Sequence, residues 1–286
     1  WARCVTARPI QISKTPDARM AEELPYHEPA LLSECLEGLA IVADGVYVDA
    51  TFGGGGHARA ILRRLGANGR LLAFDQDEEA EAQAPNDERL LFARANFRYL
   101  SRFLRLYGLE QVDGVLADLG VSFHQFDEGS RGFSYRFDAP LDMRMNTGAS
   151  LTAETVVNTY EPEALQQLLG QYGEVRNART VAQRIAEQRQ RQSLRTTGEL
   201  VALLEPLVRG NRRRYLSQVF QALRIEVNDE LGALREFLES AMQALRPGGR
   251  MVVISYHSLE DRLVKHFFRT GNFSGKHEKD FYGNII

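Results

Sequence analysis

The stretch Val46-Tyr47-Val48-Asp49-Ala50-Thr51-Phe52-Gly53-Gly54-Gly55-Gly56-His57-Ala58 constrains this chain more than any other. A β-branched and aromatic run leads into four glycines and then into Arg59-Ala60-Ile61-Leu62-Arg63-Arg64-Leu65. The apolar positions 61, 62 and 65 of that last segment recur at helical spacing. The reading is a strand, a tight turn and a helix N-terminus. Glycines suit such a turn because the backbone must reach positive φ and come close to a ligand. The helix that follows offers free N–H groups and a positive dipole end. Asp49, at the end of the strand, argues against a plain phosphate cradle. A carboxylate there repels phosphate and suits a cationic ligand such as the sulfonium and amino groups of S-adenosylmethionine (SAM).

Gly53-x-Gly55-x-x-Ala58 also fits the dinucleotide-binding pattern, which is weak by itself, and a glycine-rich surface loop without a ligand fits too. A second strand, Arg70-Leu71-Leu72-Ala73-Phe74-Asp75, places Asp75 about twenty residues beyond the glycines, where a carboxylate meets ribose hydroxyls. NAD and SAM share that feature, so Asp75 points to a nucleoside without naming the cofactor.

Further strands are expected over 89–94 and 112–118, and helices over 28–39, 77–84 and 97–107. Strands alternating with helices predict a parallel sheet with helices on both faces. Right-handed crossovers then bring Asp49, Asp75 and Asp118 to one edge, the carboxyl edge where such sheets bind ligands. The alternation stops after Asp118. A long loop over 121–148 carries Phe123, Phe126, Phe133, Tyr135, Asp142 and Arg144, the last two expected to pair. The aromatic residues are either stacking faces for a base or a local core. Helices over 162–172, 178–190, 197–208 (with Thr197 as N-cap) and 215–225 follow. After a helix over 229–245 and a turn at 246–249, a fifth strand occupies 249–255. The helical block is therefore an insertion between the fourth and fifth strands.

With 286 residues and 44% apolar content, the chain has length for one large domain carrying such an insertion. No stretch approaches the ~18 apolar residues of a membrane-spanning helix. Its two cysteines, Cys4 and Cys35, build neither a disulfide framework nor a zinc site, and a reducing cytoplasm fits. Asp138, Asp142, His124 and Asp127 lack metal-ligand spacing, so no metal is expected. Between Arg176 and Arg224 stand eleven Arg, no Lys and three Glu, a local charge of +8 in a chain of net −3, which leaves −11 elsewhere. That asymmetry points to a phosphate-bearing partner held by one region, against the plainer reading of a solvated helical surface.

The blocks His27-Glu28-Pro29-x-Leu31-Leu32, Asp49 to His57, Asp118-Leu119-Gly120-Val121-Ser122, Arg131-Gly132-Phe133-Ser134, Pro140-Leu141-Asp142-Met143-Arg144-Met145, Phe220-Gln221-Ala222-Leu223-Arg224-Ile225 and Ser255-Tyr256-His257-Ser258-Leu259-Glu260-Asp261-Arg262 together carry a resemblance. In this order, from about Pro25 to Asn272, they resemble the bacterial 16S ribosomal RNA cytosine-N4 methyltransferases of the MraW type. The resemblance implies a class I, Rossmann-like SAM-methyltransferase fold with a mainly parallel sheet. Residues 21–122 and 226–286 would form the cofactor-binding domain, and 123–225 the inserted loop and all-helical substrate-recognition domain.

Residues 1–20 read as an extension ahead of Met20, with disorder expected there, and family members continue past the position of Ile286 with a basic segment and a last strand. Two further departures are Phe123, where many members carry a second Ser, and Arg212-Arg213-Arg214-Tyr215-Leu216 in place of a basic-His-Pro-Ala stretch.

By the same resemblance, SAM contacts fall on Gly55, Gly56, His57, Asp75, Phe97, Asp118 and Gln125, and the substrate is 16S rRNA or the small ribosomal subunit. Asp75 suits ribose hydroxyls, and Phe97 suits stacking on adenine. Asp118 and the main-chain carbonyls of Leu119 and Gly120, where the fourth strand meets the site, are candidate acceptors for the cytidine amine protons. Tyr256 and His257 are expected to line the base pocket, with His257 a candidate catalytic residue that is also readable as the start of a helix. An NAD-dependent oxidoreductase and an inactive RNA-binding module remain the alternatives.

Overall fold

The computed structural model describes residues 29–120 and 129–277. Strands β1 (Val46–Asp49), β2 (Arg70–Asp75), β3 (Leu90–Arg94), β4 (Val112–Asp118) and β5 (Leu245–Ile254) run parallel in the order β3-β2-β1-β4-β5. This is the doubly wound, Rossmann-like order, with the reversal of strand order at β1. The expected extension 1–20, along with Phe123, Gln125 and Phe126, lies outside the described residues. No described helix is long and apolar enough to cross a membrane.

The chain divides into two compact units. The first takes in the chain up to Leu119 and again from Arg235; the second is Gly120–Leu234. In the first unit, alternate strand residues serve opposite faces of the sheet. Tyr47, Leu71, Ala73 and Leu116 pack with helices α1 (Leu32–Leu39) and α2 (Gly56–Arg64) through Cys35, Leu36, Leu39, Ala58, Ile61 and Leu62. On the other face, Phe74 meets Phe103 of α4 (Leu100–Leu106) edge-on at 5.4 Å between ring centroids. A short helix, α3 (Glu78–Ala82), follows β2 and is capped by Asp77.

Several boundaries differ from expectation for local reasons. Helix α1 is shorter than the expected span because Leu31 has a left-handed φ of 50°. The expected helix 97–107 opens as a single 3-10 turn, Phe97–Tyr99, before α4. Strand β5 starts at Leu245 and takes in the expected turn at 246–249. Val112 pairs with Leu245 and Gly114 with Arg250, so the intervening residues bulge. Pro247 has no N–H to offer the ladder, and Gly248 has φ 86°; across the bulge Arg246 Nη2 pairs with Asp113 Oδ2 at 2.7 Å.

The second unit holds α5 (Ala153–Thr159), α6 (Pro162–Gln171), α7 (Ala178–Arg191), α8 (Thr197–Leu204) and α9 (Arg212–Asn228). Helix α10 (Glu230–Ala244) leads out of it towards β5. Its apolar core includes Val156, Leu165, Leu169, Val181, Leu216, Val219 and Phe220. Phe133 belongs to that core, and Tyr135 packs against it, edge-on to Phe220 at 5.8 Å. For Phe133 and Tyr135 the core reading holds; Phe123 and Phe126 lie outside the described residues.

The cap of α8 is Thr196, not Thr197: Thr196 Oγ1 accepts the Glu199 N–H and the Glu199 carboxylate accepts the Thr196 N–H, a capping box. Thr197 is buried instead, donating its hydroxyl to the Phe137 carbonyl and accepting from the Ala139 N–H. Asp142 and Arg144 form the expected ion pair through two 2.7 Å contacts, and Arg144 also donates to the carbonyls of Thr147 and Ala149.

Candidate functional site

Strand register builds the site. Asp49 of β1 lies opposite Ala73 of β2 and Leu116 of β4. Asp75 and Asp118 stand two residues further along their strands. Residues two apart on a strand share a face. Three adjacent strands therefore end in carboxylates on the same face, at the carboxyl edge.

The glycine turn crosses in front of that edge. After β1 the chain bonds alternately to its neighbours: the Ala50 N–H donates to the Leu116 carbonyl and the Phe52 N–H to the Phe74 carbonyl. Thr51 Oγ1 accepts the Asp118 N–H at 2.7 Å, locking the end of β4 to the turn. Gly55 caps α2 with φ 74°, a conformation that an L side chain resists. Gly56 is glycine for a different reason: a Cβ there would run into the Pro29 ring. Arg59 ties the turn down from outside, donating to the carbonyls of Gly54 and Gln83 at 2.6 and 2.8 Å.

Each carboxylate has its own environment. Asp49 is fully buried. One oxygen accepts the Thr51 N–H at 3.1 Å, and Oδ2 has no hydrogen-bond partner among the described residues. Burial raises its pKa to about 6, opposed by nearby His57 and the Thr51 N–H and assisted by the charges of Asp118 and Asp75.

Asp75 accepts from the Gly53 N–H at 2.8 Å and the Asp77 N–H at 2.9 Å, so it shapes the glycine turn as well as facing the site. Burial raises it too, against those N–H bonds. Asp118 is likewise raised by burial, while the Tyr256 hydroxyl and His57 favour its anion and Glu260 opposes it. The Tyr256 hydroxyl donates to Asp118 Oδ1 at 2.7 Å, and His57 Nδ1 lies 3.8 Å from Oδ2.

His57 is buried on the first turn of α2, and its Nε2 donates to the Ala30 carbonyl at 3.0 Å. That bond directs Nδ1 towards Asp118. Phe97 is half-buried and meets Phe237 edge-on at 5.1 Å, leaving its ring partly open. His257 caps α11 (Ser258–Thr270), where Nδ1 accepts the Glu260 N–H at 3.4 Å. Its Nε2 sits 3.2 Å from Glu260 Oε1 without making a hydrogen bond. The imidazole thus serves a helix start, one of the two roles its sequence context allowed. Gln125 lies outside the described residues. Cys35 sits on α1 as a core thiol, pushed up to about 12 by burial and by the charges of Asp118, Glu34 and Asp49, and is inert as a nucleophile.

Sequence reasoning placed Tyr256 in the base pocket but missed its bond to Asp118, 138 residues away. It also missed Thr51 as a link between strands and Glu260 as a buried anchor. The spacing His257-x-x-Glu260, a cap and its third helical residue, was the available signal for Glu260.

The residues fit a nucleoside that carries a cation. Asp49 presents a buried acceptor without a partner among the described residues, Asp75 places a carboxylate beside the turn, and Phe97 offers a ring face. The same Asp49 would repel a pyrophosphate, so the dinucleotide reading fails here.

Residues 25–277 match the MraW methylase family. The chain is 57% identical over 265 residues to ribosomal RNA small subunit methyltransferase H of Bacteroides thetaiotaomicron, covering 92% of this chain and 87% of that protein. To the protein of that name from Parabacteroides distasonis it is 55% identical over 262 residues, covering 91% and 86%. Likeness to solved structures is loose. A cyclopropane-fatty-acyl-phospholipid synthase-like protein from Lactobacillus casei gives a TM-score of 0.25 at 12% identity over 49% of this chain and 54% of that one. On its sequence match and its strand order, the chain belongs to the MraW methylase family and is a class I methyltransferase whose cofactor is S-adenosyl-L-methionine.

Proposed function

We propose that this protein methylates the exocyclic N4 amine of a cytidine in 16S rRNA, in the decoding region of the small ribosomal subunit, within the cytoplasm. The relatives named as ribosomal RNA small subunit methyltransferases support the substrate class. The observation that carries the chemistry is Asp118, a carboxylate held beside the glycine turn by Tyr256 and Thr51.

The amine of cytosine is a poor nucleophile because its lone pair is delocalised into the ring. When bound, SAM supplies an electrophilic methyl group on a sulfonium. Asp118, or the carbonyls of Leu119 and Gly120, accepts a hydrogen bond from the amine and draws the nitrogen towards a tetrahedral geometry. Once the methyl that SAM would supply is on the nitrogen, the surplus amine proton is acidic and would leave to Asp118 or to water. Asp49 would hold the cationic part of the cofactor, Asp75 its ribose, Gly55, Gly56 and His57 the turn against it, and Phe97 the adenine. In-line placement at near-attack distance contributes much of the acceleration. The target base leaves its stack to reach the site. His257 holds the start of α11 at the rim of the base pocket.

Labelled methyl transfer tests the reading. With methyl-labelled SAM and unmethylated small subunits or free 16S rRNA, the label should map to N4 of one cytidine. Label on a ring carbon, or on a different base, would exclude the proposed chemistry.

The helical unit is proposed to carry the RNA contact, and α9 adds a physical reason. Arg212, Arg213 and Arg214 occupy its first turn, all exposed, behind the Asn211 cap. Basic charges at a helix N-terminus oppose the macrodipole at about 0.3–1 kcal/mol each. Arg212 pairs with Glu205 at 2.9 Å; Arg213 and Arg214 have no partner among the described residues. Charges kept where they destabilise the helix are accounted for by a polyanion. Replacing Arg213 and Arg214 with Gln should raise the melting temperature slightly while weakening RNA binding. It should also flatten the slope of log affinity against log salt by ~0.7–0.9 for each phosphate that is no longer neutralised. Unchanged affinity and slope across a salt series would leave the run as a solvated surface.

A further inference from the structure

Tyr256 is 59% exposed, yet both of its polar ends are held. Its N–H donates to Oε2 of the buried Glu260 at 3.0 Å, and its hydroxyl donates to Asp118 Oδ1 at 2.7 Å. The ring itself buries little, so the hydroxyl bond gives the fold little that a solvated tyrosine would lack. Its consequence lies at Asp118. One oxygen is occupied by a donor anchored through Glu260 to the start of α11, and the other faces His57 at 3.8 Å.

We propose that Tyr256 is a positioning residue for methyl transfer, its hydroxyl holding the Asp118 carboxylate in the orientation that accepts from the substrate amine. The proposal rests on the reading of Asp118 as that acceptor. It assigns Tyr256 no contact with the reacting atoms.

Among the described residues of this unit, the titratable groups that act on Asp118 or that it acts on are Cys35 of α1, Asp49 of β1, His57 of α2, Tyr256 after β5 and Glu260 of α11. Burial and Glu260 disfavour the anion. The Tyr256 hydroxyl is the main group that favours it, ahead of His57. Losing that donor raises the pKa of Asp118. The acceptor must be ionised, so the acid limb of the activity profile then moves to higher pH, and the rate falls more at pH 6 than at pH 8.5.

The test is Tyr256→Phe beside Asp118→Ala. Each is assayed for labelled methyl transfer from about pH 5.5 to 9, for SAM affinity by calorimetry, and for melting temperature. For Tyr256→Phe the expected result is a fall in kcat of about tenfold or more at neutral pH. Its acid limb should lie above that of the wild type, with SAM affinity unchanged and the melting temperature lowered by only a few degrees. A uniform fall at every pH, with no displacement of the limb, would overturn the proposal. So would a wild-type rate and profile in Tyr256→Phe alongside an inactive Asp118→Ala, an outcome that leaves the acceptor reading standing. Retained turnover in Asp118→Ala would overturn both.

Discussion

Asp118→Ala should lose methyl transfer by at least about a hundredfold while remaining folded. The expected loss follows from the proposed role of Asp118 as the acceptor for the amine, with the main-chain carbonyls of Leu119 and Gly120 left as weaker acceptors. Folding should survive because Asp118 ends its strand. Its main-chain N–H still bonds to Thr51 Oγ1, and the Leu119 N–H still bonds to the Ile254 carbonyl. The partner it leaves behind, the Tyr256 hydroxyl, sits on an exposed side chain that water can solvate. Removing one of three adjacent carboxylates also relieves repulsion on Asp49. Turnover, SAM affinity and melting temperature together separate a lost acceptor from a lost cofactor site. Near-normal turnover would exclude Asp118 as the acceptor.

The second large effect concerns Asp49 and has a defined pH window. Its folded pKa of about 6 stands above the ordinary 3.8. Between those values the folded protein binds more protons than the unfolded chain at this position. Stability from this group therefore falls as pH rises from about 4 to 6, reaching a penalty on the order of 2–3 kcal/mol above the window. Asp75 and Asp118, also raised by burial, act in the same direction.

A cationic ligand reverses the balance, because it needs the carboxylate ionised. SAM affinity should be on a plateau above pH 7 and fall about tenfold for each pH unit below 6. Asp49→Asn keeps the shape and loses the charge. It should bind SAM about tenfold or more weakly at pH 7.5, and its affinity should lose most of this pH dependence. Calorimetry at pH 5 and 7.5 on both proteins decides it. Equal wild-type affinity at the two pH values, or wild-type affinity in Asp49→Asn, would show that Asp49 does not meet the cation.

Much of the fold was legible because its signals are local. The bounds of β2 and β4 were readable from apolar runs that end in Asp75 and Asp118, and the turn between β1 and α2 from its four glycines, of which Gly53 and Gly55 take positive φ. The family was readable because seven motif blocks occur in order along the chain. Errors gathered where a non-local partner decided the outcome. Thr197 read as the cap from its place before the apolar run, but the loop carbonyl of Phe137 claims its hydroxyl and Thr196 caps the helix instead. Residues 246–249 looked like a plain turn until β4 paired on both sides of them.

The sequence by itself determined that three strands end in carboxylates around a glycine turn, that SAM is the cofactor such a family uses, and that positive charge concentrates in the helical insertion. Only the tertiary structure decided what those carboxylates are. Register set them side by side, and burial raised all three. Interactions between segments far apart in the chain then made the three unlike one another. Asp49 has an oxygen without a partner among the described residues, Asp75 holds the glycine turn, and Asp118 is held between Tyr256 and His57. The physical reason is that a side chain's protonation and orientation are set by what surrounds it in space. Tyr256 and Asp118 become neighbours only when β4 and β5 pair.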